Sequence, residues 1–319
     1  MKRLFALIEQ RVPARQITIQ DEDLSYELQL QLAEFISAVI PLNPYYVKSI
    51  LNEYIKRLES SEVEISDEIY DLYCDPQILN AKELDPSTPD IVKYFIAGFD
   101  QEFTGDEKEN IVIKETPKLI SGANTTGLRT WEAALYLSNF LNNKKDPPYN
   151  FKDRTILELG CGTGLVSLAI AKNQNVKQII MTDGSTNVFD NMRETIKLNN
   201  LENANYIRCQ QLVWGETTAI EGNVDYIVGA DITFDGRIVE PLCSTINDLF
   251  VKNNLQSAII AATIRNIDTI NQWEQELNKW FDGRWEIKIS IANPNSIESN
   301  CWFNLNTPEI RIYEINRQS

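Results

Sequence analysis

Apolar residues in the first hundred positions recur at helical intervals. Leu24, Leu28, Leu30, Leu32, Phe35 and Ile36 fall near one helix face, and Pro41 and Pro44 end that helix. A second helix is expected from Pro44 to Glu59, with Tyr46, Val47, Ile50, Leu51, Tyr54, Ile55 and Leu58 on one side. A third is expected over 66–79, and a short one over 91–99 after Pro86 and Pro89. The polar run 105–110 reads as a loop, and Ile111 to Glu115 has strand character.

Further on, the pattern changes to short apolar runs alternating with amphipathic stretches. Strands are expected at 155–159, 178–182, 206–210, 224–230, 257–262, 285–291 and 310–314. Helices are expected at 131–141, 164–172, 188–199, 238–250 and 269–281. Such alternation builds a parallel sheet with helices on both faces. Only a polar stretch, 293–306, joins the last two strands, so an antiparallel strand at the sheet edge is expected. The fold class is α/β, with a mainly helical acidic region over 1–110 and an α/β domain over 111–319.

Charge supports that division. Among 319 residues, 30 are basic and 46 acidic, a net charge of -16. Residues 1–120 carry 12 basic and 23 acidic side chains, while 121–319 carry 18 and 23. An acidic chain is poorly suited to nucleic acid, which needs clustered Lys and Arg. It suits a basic partner protein, or the acidity serves solubility alone. There is no histidine, which removes Ser-His-Asp and Cys-His nucleophile systems and takes away the usual ligand of catalytic zinc, so no metal site is the expectation. Five cysteines without a Cys-x-x-Cys fit a reducing compartment. The apolar run at residues 4–8 stops at Glu9 and lacks a cleavage site, and no stretch approaches a membrane span. A cytoplasmic protein is the expectation.

Ligands of open parallel sheets bind beyond the carboxyl ends of the strands, and four strand ends here carry distinctive residues. The first gives Glu158-Leu159-Gly160-Cys161-Gly162-Thr163-Gly164. Gly-x-Gly-x-Gly between a strand and a helix lets a nucleotide-like ligand lie against bare backbone, and its spacing points to S-adenosyl-L-methionine rather than a dinucleotide. The second ends in Asp183, placed to accept from ribose hydroxyls or to cap the next helix. The third is followed by Trp214, which could face a purine or pack in the core. The fourth gives Ala230-Asp231-Ile232-Thr233-Phe234. Asp231 ends a strongly apolar run and needs a partner: a cationic amine, a helix end, or Arg237.

Together with Trp131-Glu132-Ala133-Ala134 and Leu212-Val213-Trp214, these segments resemble the seven-β-strand, class I protein-lysine methyltransferases. The segment Ala262-Thr263-Ile264-Arg265-Asn266 and the helical N-terminal extension narrow the resemblance to the fungal enzymes that methylate translation elongation factor 2. The resemblance implies a Rossmann-like sheet of seven strands with the last one reversed. It implies S-adenosyl-L-methionine contacts from Trp131, Glu158, Gly160, Cys161, Gly162, Gly164, Asp183, Trp214 and Ala230. It places Asp231 and Phe234 at a lysine channel. The motif usually ends in tyrosine, so a phenol hydrogen bond is lost here, while the Phe234 ring can still face an ammonium.

The implied reaction is direct methyl transfer to a neutral lysine amine. A free lysine costs roughly 4–5 kcal/mol to present neutral at pH 7. A carboxylate cannot lower that cost, because it favours the charged amine. Asp231 is therefore expected to capture and orient the amine, with water taking the proton. A small amine or a different protein as acceptor, and a non-catalytic cofactor-binding scaffold, are the alternatives. The acidic N-terminal region either holds the partner protein or covers an apolar face of the catalytic domain.

Overall fold

The computed structural model describes residues 3–98, 109–122, 125–216, 220–294 and 301–318. Among the described residues, five α-helices come first: α1 (Arg3–Glu9), α2 (Tyr26–Ser37), α3 (Pro44–Ser60), α4 (Asp67–Cys74) and α5 (Pro76–Leu79). Ser25, Asn43 and Ser66 each accept a backbone N–H at a helix start, and Pro44 begins α3 with its φ already helical. The single helix expected over 66–79 is two. Asp75 leaves the helical conformation and its side chain caps Gln77, so Pro76 starts a new turn. The apolar faces meet in a core of their own, with Leu28's neighbours Leu32 and Ile36 packed near Leu51, Tyr54 and Leu58.

The helix expected over 91–99 is instead a strand, β1 (Asp90–Phe95), paired antiparallel with β2 (Asn110–Glu115). Burial of Val92 and Tyr94 alternates with partial exposure of Ile91 and Lys93, a period of two. The β-branched pair Ile91-Val92 and the partner strand decided the matter. The expected loop at 105–110 lies largely outside the described residues. The boundary expected at residue 110 falls at the start of β2, within this ribbon. Asp90 ties the ribbon to the helices, accepting from Arg11 Nε at 3.2 Å and Asn43 Nδ2 at 2.7 Å.

The α/β part follows in order: α6 (Glu132–Leu141), β3 (Thr155–Leu159), α7 (Leu165–Asn173), β4 (Gln178–Asp183), α8 (Val188–Leu198), β5 (Ile207–Gln211), β6 (Tyr226–Ala230), α9 (Gly236–Lys252), β7 (Ser257–Thr263), α10 (Ile267–Phe281), β8 (Trp285–Ile291) and β9 (Ile310–Asn316). The seven strands β3 to β9 run in the order β5-β4-β3-β6-β7-β9-β8. The first five are parallel, and β9 is antiparallel to both β7 and β8. The reversed strand is thus inserted beside the edge, not at it. Its buried face explains the placement: Ile310, Ile312, Tyr313 and Ile315 are all buried, whereas β8 is largely exposed.

Alternate residues of each strand serve two cores. Ile156, Ile179, Met181 and Val228 face α6, α7 and the ribbon. Leu157, Leu159, Ile180 and Ile227 face α9 and α10, where Trp273 is fully buried. With both faces covered, the sheet directs its ligands to the strand ends. The loop before β9 reaches back to the first helices: Gln10 donates to Trp302 O at 2.7 Å and accepts from Trp302 N at 2.8 Å. No helix among the described residues is long and apolar enough to cross a membrane.

Candidate active site

A cleft of about 690 Å³ opens beyond the carboxyl ends of β3, β4, β5 and β6. That is within the range of small-ligand sites. Its floor is the turn from β3 to α7. Gly160, Gly162 and Gly164 all have positive φ, of 62°, 48° and 81°. A Cβ at Gly160 would lie 2.6 Å from Ile232 Cγ2 and 3.3 Å from Trp214. A Cβ at Gly162 would press on the backbone of Gly127 at 3.3 Å. Gly164 has a different task. It does not line the cleft, and its Cβ would strike Met181 Cε and Met192 Sδ at 2.5 and 2.6 Å in the core.

Glu158 lines the cleft but directs Oε2 to the start of α7, accepting from Ser167 N at 3.1 Å. Burial pushes its carboxyl up to about 8, against the lowering effect of that hydrogen bond. Cys161 is buried in the turn, its N–H donating to Thr182 O at 2.8 Å, and burial raises its thiol well above the ordinary range. It is therefore an inert thiol.

Asp183 closes β4 and faces the cleft. Oδ2 accepts from Gly162 N at 3.1 Å and Oδ1 from Ser185 N at 2.9 Å. Burial raises its pKa, while the hydrogen bonds from Ser185 and Gly162 oppose that shift. It organises a turn rather than capping α8, whose N-cap is Asn187 without a side-chain bond. Trp214 lines the cleft, and its indole Nε1 is buried without a hydrogen-bond partner among the described residues.

The corner after β6 is the most densely bonded part of the site. Asp231 has φ 54° and is 8% exposed. Oδ1 accepts from Thr263 N at 2.9 Å and from Arg265 Nη1 at 3.1 Å. Oδ2 accepts from Thr263 Oγ1 at 3.0 Å and, at 3.3 Å, from both Arg265 Nη2 and the Ala133 N–H at the start of α6. Helix end and cation are thus both present, but the cation is Arg265, since Arg237 pairs with Asp235. Phe234 stands at the rim, 54% exposed. Ala230, at the end of β6, lines the wall.

Trp131 is the N-cap residue of α6, held by its Nε1 donating to Thr126 O at 3.0 Å. The guanidinium carbons of Arg129 and Arg265 lie 4.4 and 4.8 Å from its ring centre. Next to it, Thr130 Oγ1 meets Thr163 Oγ1 of the glycine turn at 2.9 Å. Thr130 N donates to Glu115 Oε2 at 2.6 Å, and Tyr94 donates to Glu115 Oε1 at 2.8 Å. Burial raises the pKa of Glu115, and that of Tyr94 well above its ordinary range. A chain of bonds thus runs from the β1–β2 ribbon to the cleft floor. Arg129, Thr130 and Trp131 also form one wall of a second cleft of about 870 Å³, between the N-terminal helices and α6.

Of the residues singled out in the sequence, Trp131, Glu158, Gly160, Cys161, Gly162, Asp183, Trp214, Ala230, Asp231 and Phe234 line one cleft, and Gly164 stands behind it. Arg129, Thr130, Thr163 and Glu115 were not singled out. No spacing signals them, because they converge only through the ribbon and the α6 start. Arg265 carried a signal, as a cation just past an apolar strand end.

A seven-stranded sheet of this order with a glycine turn at its first strand defines a class I, Rossmann-like methyltransferase fold. Residues 108–280 match the family described as lysine methyltransferase. The chain is 31% identical to protein-lysine N-methyltransferase EFM3 of Saccharomyces cerevisiae, covering 98% of this chain and 97% of that one. It is 33% identical to EFM3 of Chaetomium thermophilum over 73% and 72% of the two chains. Against protein-lysine N-methyltransferase EEF2KMT of Homo sapiens it is 28% identical over 78% and 74%. Among solved structures, a precorrin-6y C5,15-methyltransferase from Geobacter metallireducens overlaps 58% of this chain and 87% of that one, with a TM-score of 0.41 and 12% identity. The chain belongs to the lysine methyltransferase family, and it is a protein-lysine N-methyltransferase.

Proposed function

We propose that the cleft binds S-adenosyl-L-methionine and that the enzyme methylates a lysine of translation elongation factor 2, in the cytoplasm. The observation that carries the cofactor reading is the bare backbone at Gly160 and Gly162, whose missing Cβ atoms leave the cleft floor open beside Trp214. The orphan indole N–H of Trp214 and the buried carboxyl of Asp183 supply polar groups in that cleft. In this reading Asp183 holds the ribose, Trp214 lies near the adenine, and Trp131, Glu158, Cys161 and Ala230 complete the walls. Gly164 shapes the turn from behind.

When bound, S-adenosyl-L-methionine supplies an electrophilic methyl on a sulfonium. The chain's own part is to align the acceptor and exclude water. Phe234 provides an aromatic wall for a lysine side chain. Asp231, with every lone-pair direction occupied, anchors the corner and holds the start of α6. Its role is to brace the acceptor site; direct capture of the amine, expected from the sequence, would require it to leave Arg265. The elongation-factor reading is supported by the resemblance of the Trp131, Asp231 and Arg265 segments and by the acidic N-terminal region beside the second cleft.

The test is labelled methyl transfer in an extract of cells lacking this protein, followed by mass spectrometry of elongation factor 2 from those cells. One labelled band of that factor's size, with a lysine methyl absent from the deleted cells, supports the reading. A labelled band of another size assigns a different protein substrate.

A further inference from the structure

Asp231 poses an electrostatic problem at a lysine methyltransfer site. A lone buried carboxylate beside the acceptor would hold the lysine as an ammonium, which has no lone pair with which to attack. The structure resolves this through Arg265. Its Nη1 and Nη2 reach the two oxygens of Asp231 at 3.1 and 3.3 Å, and Nη2 also bonds Glu132 Oε2. The Thr263 amide, the Thr263 hydroxyl and the Ala133 amide take further positions on the same carboxylate. A carboxylate offers about four lone-pair directions, so none is left for an incoming ammonium.

We infer that Arg265 is a positioning residue that neutralises Asp231, so that the corner receives the acceptor lysine as a neutral amine. The inference rests on the reading of the Asp231 to Phe234 corner as the lysine site. The surrounding charges agree with it. Glu132 on α6 is matched by Arg265 and by Arg129 at 3.9 Å, so two acids face two guanidiniums. On α9 the Asp235 charge is taken by Arg237. Glu309, whose carbonyl accepts from Ile264 N, has its carboxylate paired with Arg311. Asp268 in the first turn of α10 remains as the nearest other acid in sequence. Attraction to Asp231 and Glu132 outweighs the effect of burial on Arg265, whose pKa is raised, so its charge persists at every working pH.

The test is the pH profile of methyl transfer from 6.5 to 9.5. The acceptor is supplied as extract of cells lacking the enzyme, and the readout is the band the wild type labels. This keeps the result independent of which protein carries the lysine. In Arg265→Met the ascending limb of turnover at saturating acceptor, which reports the bound amine, moves up by about one unit or more, an approximately tenfold loss at pH 7 that shrinks at high pH. Arg265→Lys keeps the charge without the fork: its turnover falls but its limb stays at the wild-type position. Asp231→Asn combined with Arg265→Met brings the limb back toward the wild type. A uniform loss at all pH values in Arg265→Met, or a shifted limb in Arg265→Lys, overturns the inference and leaves Arg265 as a structural brace.

Discussion

The Gly162 amide donates to Asp183 Oδ2 across 3.1 Å, so the glycine turn after β3 and the end of β4 are tied directly to each other. Asp183 also accepts from Ser185 N. Hydrogen bonds to charged groups contribute about 1.5–3 kcal/mol each. Asp183→Ala removes both and frees the turn. We expect its affinity for S-adenosyl-L-methionine, measured by calorimetry, to fall at least about tenfold. Asp183→Asn, which keeps one acceptor oxygen, should lose less. Wild-type affinity in the alanine variant would remove Asp183 from the cofactor site.

Two glycines of one motif should fail differently. Gly164→Ala drives a methyl into Met181 and Met192 at a positive φ, so it should lower stability by roughly 1–3 kcal/mol. The fraction that stays folded should bind cofactor nearly as well as the wild type. Gly160→Ala meets Ile232 and Trp214 at the cleft floor, and should weaken cofactor binding by more than it lowers Tm. Thermal melts and titrations on both variants separate the two roles.

Glu158 gives a pH signature. Its carboxyl is raised from 4.5 to about 8 by burial, so the native state keeps a proton that the unfolded chain releases. Its contribution is fully present below pH 4.5 and is lost progressively as pH rises to about 8. Glu158→Gln has no such loss and retains an acceptor for Ser167 N. The Tm of the Gln variant should therefore gain on the wild type between pH 5 and 8 and level off above. A constant difference across that range would mean that Glu158 is ionised in the native protein.

Phe234 touches the acceptor side alone in this reading. Phe234→Ala should leave cofactor affinity unchanged and raise KM for the protein substrate several-fold, since about 0.5–2 kcal/mol of aromatic contact is lost. Phe234→Tyr should be tolerated at this exposed rim. A drop in cofactor affinity in the alanine variant would move Phe234 to the cofactor's side of the cleft.

Much of the fold was legible because each α/β segment carries its own period. Ile156 and Leu157 face opposite cores, and the glycine turn follows at once, so β3, the turn and α7 are specified locally. The error at 91–99 came from a six-residue strand whose apolar run fits either period, decided only by pairing with β2. The cleft followed the same rule. Lining residues at strand ends could be placed there from position, whereas Glu115, Thr130 and Thr163 are linked to it through contacts the sequence does not announce.

By itself the sequence determined the strand-and-helix alternation, the bare glycine floor and the identity of the acids at the strand ends. These depend on side-chain period and on the absence of Cβ atoms, which are local properties. It took the assembled fold to settle where β9 is inserted, that Asp231 answers to Arg265 rather than Arg237, and that the N-terminal ribbon is linked through Glu115 to the cleft at the strand ends. Those outcomes depend on which distant charges and apolar faces find one another, and the cost of burying a carboxylate without partners selects them.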